Sequence, residues 1–451
     1  MLDDTICAPA TPPVISSLAI LRISGPGTTG AVRSVFSNAD KAHPRRAVYG
    51  SILDGAEVID DVIVVTYQSP ASFTGEDSAE IICHGNPIVV NKILALLLRH
   101  GLRMAEPGEF SKRAFLNGKI DLTEAEAINH IITARSDWEI KASIRQMHGS
   151  LKNRIHEIRD RLVLLKADIE CGIDFSEEEI EFVSYKDAEA QVREISRLLD
   201  DIAYRCRIGE KISHGIDVPI VGKPNVGKSS ILNMIVNAER AIVSDTPGTT
   251  RDLIRESIQF GGLRLNIFDT AGIDEPTSDI ERMGIELSFK KIEAASLVIM
   301  VVDAASGMRE ADEKIFDALK GKNTIVLLNK TDIAQDDDIA RLRSRFDCPT
   351  IPFSARSGRG LKELENAVTV MLRSEFASTS DFFVADIRMR ELLGEAIAAA
   401  GDAAGLLRDN EPPEIAAFQI QTLIDTLAEI TGEITPDDVL ESIFSRFCIG
   451  K

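Results

Sequence analysis

The spacing of apolar residues changes three times along the chain and separates it into four stretches. Over residues 1–118, short apolar runs such as Leu18–Ile23 and Val62–Val65 alternate with loops rich in Gly, Pro and Ser. One helical stretch lies near Ile88–Arg99. Short strands that are broken by turn residues, with a helix among them, are typical of a mixed α/β domain, which we predict here.

In the second stretch, residues 119–212, apolar positions recur every three or four residues. The clearest series is Leu151, Ile155, Ile158, Leu162, Leu165 and Ile169. Such a series lines one face of a helix and predicts the core of a helical bundle. We also expect Thr123 and Glu126 to form a capping box where a helix begins.

The third stretch, residues 213–374, returns to alternating strands and helices. Its strands Leu263–Phe268 and Ile325–Leu328 each end at a polar loop, which is the pattern of a doubly wound domain. Long helices follow in residues 375–451, over Met389–Arg408 and Ile415–Ile430. The predicted fold class is therefore multidomain, α/β plus all-α. A doubly wound domain is inserted into a discontinuous helical domain (119–212 and 375–451) that follows an N-terminal α/β domain.

Composition and charge narrow the classes of function. The 451 residues include 51 Lys plus Arg and 71 Asp plus Glu, which gives a net charge of −20. Because so acidic a chain repels phosphate backbones, we do not expect it to bind nucleic acid strongly without a local basic patch or a basic partner protein. Its six cysteines are scattered singly, which excludes zinc ribbons and disulfide scaffolds and favours a cytoplasmic protein. No apolar run approaches the roughly 18 residues that span a membrane.

A phosphate-binding loop stands at the start of the third stretch. The segment Gly222-Lys-Pro-Asn-Val-Gly-Lys-Ser229 matches the pattern G-x-x-x-x-G-K-[ST]. A predicted strand, Ile216–Val221, precedes it and a predicted helix, Ser230–Val236, follows it, as this motif requires. Lys228 would place a cation on the β- and γ-phosphate oxygens, and the Ser229 hydroxyl can ligate Mg²⁺.

Two further loops follow at strand ends and predict a guanine nucleotide. Asp269-Thr-Ala-Gly272 can reach Mg²⁺ and the γ-phosphate. In Asn329-Lys-Thr-Asp332, the aspartate can accept hydrogen bonds from N1–H and the 2-amino group of guanine, which adenine does not offer. Ser354-Ala355, after the next strand, completes the predicted base site.

The third stretch resembles the GTPases of the translation-factor-related class, with a Ras-like P-loop fold. This resemblance places the first switch loop at Gly248-Thr249-Thr250-Arg-Asp252 and makes Thr250 the second hydroxyl ligand of Mg²⁺, beside Ser229. The residues it predicts to bind GTP are Asn225, Val226, Gly227, Lys228, Ser229, Ser230, Ser244, Asp245, Thr246, Pro247, Gly248, Thr249, Thr250, Asp269, Thr270, Ala271, Gly272, Asn329, Lys330, Asp332, Ser354 and Ala355.

One position departs from Ras-like proteins. They carry a water-orienting glutamine directly after the second loop, where this chain has Ile273. An apolar side chain cannot orient water, so another group must. The acids that follow are Asp274, Glu275, Asp279 and Glu281.

Motifs at both ends of the chain resemble a single family. They are Ser72-Phe-Thr-Gly-Glu-Asp77, Pro107-Gly-Glu-Phe-Ser111, Arg113-Ala-Phe-Leu-Asn117 and Phe447-Cys-Ile-Gly-Lys451. The family is that of the tRNA modification GTPase MnmE, also called TrmE, and the resemblance covers the whole length. It implies that Glu281 is the catalytic glutamate that orients the attacking water, and that hydrolysis requires K⁺ and pairing of two GTPase domains in a homodimer. The implied K⁺ ligands are Asn225, Ser244, Thr246 and Thr249, while Arg251 is an alternative cation that could reach the phosphates.

The same resemblance implies the rest of the activity. Family members work with a flavin-dependent (FAD) partner, MnmG, in a heterotetramer that places an aminomethyl-type group on C5 of the wobble uridine (U34) of certain tRNAs. Their N-terminal domain, here residues 1–118, dimerises and holds a 5-formyltetrahydrofolate-type donor. The implied pocket residues are Arg22, Glu80, Lys119 and Lys451.

Two points stay open at this level. Cys448, the thiol of the terminal motif, is either a participant in the modification chemistry or part of a plug that packs near the folate site. The alternative functions are a GTPase factor in ribosome assembly, which would lack modification chemistry, and a stand-alone folate enzyme.

The predicted domains are residues 1–118, 119–212, 213–374 and 375–451.

Overall fold

The computed structural model describes residues 4–174, 183–238, 255–269, 295–376 and 382–450. The chain forms two compact units. The first contains Met1–Ile132, Ile144–Asp200 and Arg388–Lys451, and the second contains Thr133–Ser143 and Asp201–Ile387. None of the described helices combines the length and the apolar composition that crossing a bilayer demands.

The first unit begins with a six-stranded sheet. Its strands are β1 (Ile6–Pro9), β2 (Leu18–Ser24), β3 (Ala47–Asp54), β4 (Glu57–Tyr67), β5 (Ser78–His84) and β6 (Arg103–Met104), in the order β3-β4-β5-β2-β1-β6. Helices α1 (Thr28–Val35) and α2 (Pro87–Arg99) share a buried apolar cluster with one face of the sheet. Because side chains alternate along a strand, Leu21 and Ile23 enter that cluster while Arg22 lies on the opposite face.

Helices make up the rest of the first unit. They are α3 (Glu109–Leu116), α4 (Leu122–Thr133), α6 (Ser150–Asp174), α12 (Ile387–Arg408), α13 (Pro413–Thr431) and α14 (Asp437–Phe444), while α5 (Asp137–Met147) and α7 (Tyr185–His214) contribute residues to both units. The predicted series from Leu151 to Ile169 is buried along α6, which packs against α13. The helical core that the spacing predicts is therefore confirmed.

The predicted capping box was wrong by two residues. Thr123 lies inside α4, and the box is formed by Asp121 and Glu124. The Asp121 carboxylate accepts the N–H of Glu124 at 2.8 Å, and the Glu124 carboxylate accepts the N–H of Asp121 at 2.8 Å. An aspartate is at least as good an N-cap as a threonine, and Asp121 and Glu124 have the same spacing as Thr123 and Glu126, so the earlier pair can form the box instead.

The second unit contains the predicted doubly wound sheet. Its strands are β7 (Ile216–Val221), β8 (Arg255–Phe260), β9 (Leu263–Asp269), β10 (Val298–Asp303), β11 (Thr324–Asn329) and β12 (Thr350–Pro352), in the order β12-β11-β10-β7-β9-β8. The described helices of this sheet's domain are α8 (Lys228–Ala238), α9 (Glu310–Ala318), α10 (Asp336–Arg343) and α11 (Leu361–Phe376). All neighbouring pairs are parallel except β8–β9. The carboxyl ends of the parallel strands therefore meet at one edge, where such sheets bind ligands.

Candidate functional site

The phosphate loop turns sharply between β7 and α8, and its glycines are required by close contacts. Gly222 has φ +148°, and a Cβ there would lie 2.5 Å from the carbonyl oxygen of Val301. Gly227 has φ +102°, and a Cβ there would collide with the Asn329 amide. Asn225 has φ +62°, a left-handed conformation that asparagine tolerates better than most residues. The loop is thus folded in the shape that exposes backbone N–H groups to a phosphate.

Lys228 is buried at the start of α8, with 7% of its surface exposed. Its ammonium donates to the carbonyl oxygens of Gly222 at 2.9 Å and Lys223 at 3.0 Å. These contacts keep the cation inside the loop. To reach a phosphate, it must exchange carbonyl partners for phosphate oxygens.

An oxygen from the first turn of α8 meets an oxygen from the end of β9. The Ser229 hydroxyl donates to Oδ2 of Asp269 at 2.6 Å. The other carboxylate oxygen, Oδ1, is buried and has no hydrogen-bond partner among the described residues. A hydroxyl and a carboxylate with an unpartnered oxygen are a donor set that fits Mg²⁺.

Asn329 joins the base loop to the phosphate loop. Its side-chain amide donates to the carbonyl oxygen of Val226 at 2.7 Å, and its side-chain oxygen accepts the N–H of Ala355 at 3.0 Å. Ser354 donates to the Asp332 carboxylate at 2.9 Å. The predicted residues of three separate loops therefore come together at one site.

Lys330, also in the base loop, is held by an acid that sequence reasoning missed. Its ammonium lies 2.8 Å from Oδ2 of Asp303, at the end of β10. Burial acts to raise the pKa of Asp303, but Lys330 and the N–H groups of Ala305 and Ser306 outweigh it, so the pKa is held below its ordinary value. The signal was present, because Asp303 ends an apolar strand just as Asp269 does.

Several predicted residues lie outside the described residues. They are Ser244, Asp245, Thr246, Pro247, Gly248, Thr249, Thr250, Thr270, Ala271, Gly272, Glu281 and Lys451. Their roles stay predictions. Asn225 and Ser230, which lie within the described residues, are both exposed.

In the first unit, Arg22 and Glu80 are brought together by strand register. They face each other across β2 and β5, and Nε of Arg22 lies 2.9 Å from Oε1 of Glu80. The hydroxyl of Tyr67, which was not predicted, donates to Oε2 of Glu80 at 3.4 Å. Burial and the neighbouring Glu80 carboxylate raise the pKa of Tyr67. Tyr67 could have been found only from the pairing of β4 with β5.

Lys119 has a different neighbour. Its ammonium donates to the carbonyl oxygen of Pro70 at 3.0 Å, in the loop between β4 and β5. Gly75 of the same loop packs against the Lys119 stem, with φ +80° and a would-be Cβ 3.2 Å from Cγ. Lys119 thus lies against the loop that carries the Ser72–Asp77 motif.

The chain's carboxyl-terminal segment packs on the N-terminal domain. Phe447 is buried against α3, α4 and α14 residues, and the Cys448 carbonyl oxygen accepts the N–H of Gly108 at 3.3 Å. Gly450 lies directly against the Pro9 carbonyl, and its own carbonyl oxygen accepts from Nη1 of Arg22 at 3.3 Å. The Cys448 residue itself is exposed. These contacts favour a plug, and a chemical role for the thiol stays a prediction.

Comparison with known proteins agrees with this architecture over the whole chain. Two family models match: the MnmE helical domain over residues 122–448, and the N-terminus of the GTP-binding protein TrmE over residues 5–119. The tRNA modification GTPase MnmE of Thermotoga sp. strain RQ2 is 40% identical, covering 99% of this chain and 100% of that relative. The tRNA modification GTPase MnmE of Clostridioides difficile strain 630 is 38% identical and covers 100% of both.

Among solved structures, the G domain of the Thermotoga maritima FeoB iron transporter is 26% identical, covers 35% of this chain and 99% of that chain, and has a TM-score of 0.29. The two family models and the full-length relatives confirm the resemblance drawn from the sequence motifs. The chain belongs to the MnmE (TrmE) family of tRNA modification GTPases.

Proposed function

We propose that this protein hydrolyses GTP in order to modify tRNA at C5 of the wobble uridine, U34, together with a flavoprotein. The observation that carries the proposal is the meeting of three loops at one sheet edge: Asn329 joins the base loop to the phosphate loop, and Ser229 joins the phosphate loop to Asp269. The full-length similarity to tRNA modification GTPases supports the process in which that site works.

In the proposed GTP site, the chain's own residues bind and orient the nucleotide. Asp332 selects guanine, Lys228 meets the phosphates, and Glu281 orients the attacking water. Mg²⁺ would be held by Ser229 and Thr250, and when bound it neutralises charge on the β- and γ-phosphate oxygens. K⁺ would be held by Asn225, Ser244, Thr246 and Thr249, and when bound it adds positive charge near the β–γ bridge.

The proposed folate site lies on the sheet face opposite α1 and α2. The residues that would hold 5-formyltetrahydrofolate are Arg22, Glu80, Lys119 and Lys451. A carboxylate suits the donor-rich edge of a pterin, and cations suit glutamyl carboxylates, so the donor set of Arg22 and Glu80 fits this ligand. When bound, the ligand supplies the one-carbon unit of the modification.

The proposed partners follow from charge and family. A net charge of −20 disfavours unaided tRNA binding, and a partner can supply the basic surface that faces the tRNA. We propose that a homodimer of this chain joins the FAD-dependent MnmG in a cytoplasmic heterotetramer. The proposed domains are the folate-binding residues 1–118, the helical residues 119–212 and 375–451, and the GTPase residues 213–374.

Deletion of the gene tests the proposed function. We expect digested tRNA from the deletion strain to lack the C5 modification at U34, and the wild-type gene to restore it. A Lys228→Ala gene should not restore it, because the variant loses the phosphate contact. Unchanged U34 with a defect in ribosomal subunits would instead identify the protein as an assembly factor. Normal tRNA and normal ribosomes would contradict both.

A binding experiment tests the folate site. Arg22 and Glu80 lie in a unit that contains none of the GTP loops, so we expect calorimetry to detect 5-formyltetrahydrofolate binding by nucleotide-free protein. Glu80→Ala should weaken that binding about tenfold or more, because a charged hydrogen-bond partner is lost. Glu57→Ala, which removes an exposed carboxylate from the same sheet, is the control and should leave affinity unchanged. Equal affinity in Glu80→Ala and wild type would remove Glu80 from the site.

A further inference from the structure

Asp312, on α9, is a fully buried acid outside the predicted nucleotide site. None of its surface is exposed. Its Oδ2 accepts the N–H of Arg309 at 2.9 Å and forms an ion pair with the ammonium of Lys223. Its Oδ1 is buried without a hydrogen-bond partner among the described residues. A buried carboxylate is costly unless it is paired, so the contact with Lys223 is what stabilises its charge.

Lys223 is the second residue of the phosphate loop, so Asp312 holds the loop from outside. The backbone carbonyl of Lys223 accepts from the Lys228 ammonium at 3.0 Å, on the inner side of the loop. The same residue is therefore held at two points, by Lys228 through its carbonyl and by Asp312 through its side chain. Only the second contact can persist when Lys228 turns to a phosphate.

The strand that leads to α9 supports the neighbouring parts of the site. The Val301 carbonyl of β10 lies directly behind Gly222, and the N–H of Ala304 donates to the carbonyl oxygen of Asn329 at 2.9 Å. Asp303, at the end of β10, pairs with Lys330. Residues 301–312 thus back the phosphate loop and the base loop together without supplying a predicted nucleotide contact.

We infer that Asp312 is a positioning residue for the phosphate loop, acting through Lys223. When Lys228 exchanges the carbonyls of Gly222 and Lys223 for phosphate oxygens, the Asp312–Lys223 pair keeps the first turn of the loop in place. The backbone N–H groups then meet the phosphates without first being ordered. Binding is tighter when a loop is held in its bound shape beforehand, because less freedom is lost on association. The inference rests on the proposed GTP site and adds a residue that does not itself touch the nucleotide.

A double-mutant cycle on GDP affinity tests the inference in the full-length protein. The variants are Lys223→Met, Asp312→Asn and the double variant, with Lys223→Arg as the conservative replacement that retains the cation. Asp317→Asn is the matched control, because it removes an exposed acid from the same helix. GDP dissociation constants are measured by calorimetry, and thermal unfolding shows that each variant is folded.

We expect Lys223→Met and Asp312→Asn each to weaken GDP binding about tenfold, the size of one charge-assisted contact. The double variant should bind GDP no less tightly than the single variant with the lower affinity, because the two side chains act as one pair. Lys223→Arg should bind nearly as wild type does, and Asp317→Asn should be unchanged. A purely structural role would alter thermal stability but would produce neither this coupling in GDP affinity nor the arginine rescue.

Two results would overturn the inference. One is unchanged GDP affinity in folded Lys223→Met, and the other is a double variant whose loss is the product of the single losses. If Asp312→Asn does not fold, the GDP affinities of Lys223→Met and Lys223→Arg still test the inference. Lys223 is partly exposed, so replacing it should destabilise the fold less than replacing a fully buried acid. Wild-type protein that fails to bind GDP would contradict the proposed function itself, which distinguishes that failure from a failure of the positioning role.

Discussion

Replacing Glu281 with alanine is expected to lower kcat for GTP hydrolysis by about 10²–10⁴-fold, while the affinity for GTP stays nearly unchanged. Ile273 stands where Ras-like proteins orient water with a glutamine, so a different side chain must perform this task. Glu281 lies twelve residues after Asp269, at the position that the family resemblance assigns to the catalytic glutamate. An interaction made only in the transition state affects kcat and leaves ground-state binding alone.

The controls are the other acids of the same segment. Asp274→Asn, Glu275→Gln and Asp279→Asn should each retain most of the turnover, measured as phosphate release at saturating GTP. Turnover at the wild-type rate in Glu281→Ala, with loss in one of the neighbours, would transfer the role to that neighbour.

Replacing KCl with NaCl at equal ionic strength is expected to slow GTP hydrolysis by about 10³-fold or more. Charge develops on the β–γ bridge during hydrolysis, and a cation supplied there by an arginine finger contributes 10³–10⁵ in rate in related GTPases. No such finger is identifiable in the sequence. We expect the amide oxygen of Asn225 and the oxygens of Ser244, Thr246 and Thr249 to provide instead the neutral, oxygen-rich set that suits a monovalent ion.

Asn225→Ala tests the assignment of the ligand. Asn225 is exposed in the phosphate loop, so the substitution removes its amide oxygen without disturbing the buried core. We expect the variant to lose most of its response to K⁺ and to form fewer dimers with GDP and aluminium fluoride. Equal wild-type rates in both salts would contradict the K⁺ requirement. A variant that retains the full K⁺ response would exclude Asn225, and loss of hydrolysis in Arg251→Ala would favour the arginine instead.

The nucleotide site shows what local sequence can determine. The apolar runs that predict β7, β9 and β11 place Gly222, Asp269 and Asn329 at strand ends, and parallel strands bring such ends to one edge. Each prediction depends on residues that are adjacent in the chain. The helical core along α6 was predictable for the same reason, because its apolar residues recur every three or four positions along the chain.

Contacts between residues far apart in the chain were not predictable in this way. The family resemblance names Arg22 and Glu80, but only the register of β2 with β5 makes them partners, and only the pairing of β4 with β5 adds Tyr67. The capping box shows the same limit at short range. Two acceptable caps overlapped, and the choice of Asp121 over Thr123 was decided in the folded chain, where the Asp121 carboxylate is also 3.8 Å from the Lys152 ammonium.

The sequence by itself determined the nucleotide loops, the order of the strands and helices that carry them, and the family. Each of these depends on a contiguous motif or on the local spacing of apolar residues. Only the tertiary structure decided that the terminal segment packs against Pro9 and Arg22, that Asp303 holds Lys330, and that Asp312 holds the phosphate loop through Lys223. Those pairs are separated by tens to hundreds of residues. These contacts form because whole faces of sheets and helices are buried against each other. A local sequence pattern therefore does not indicate which side chains will be in contact.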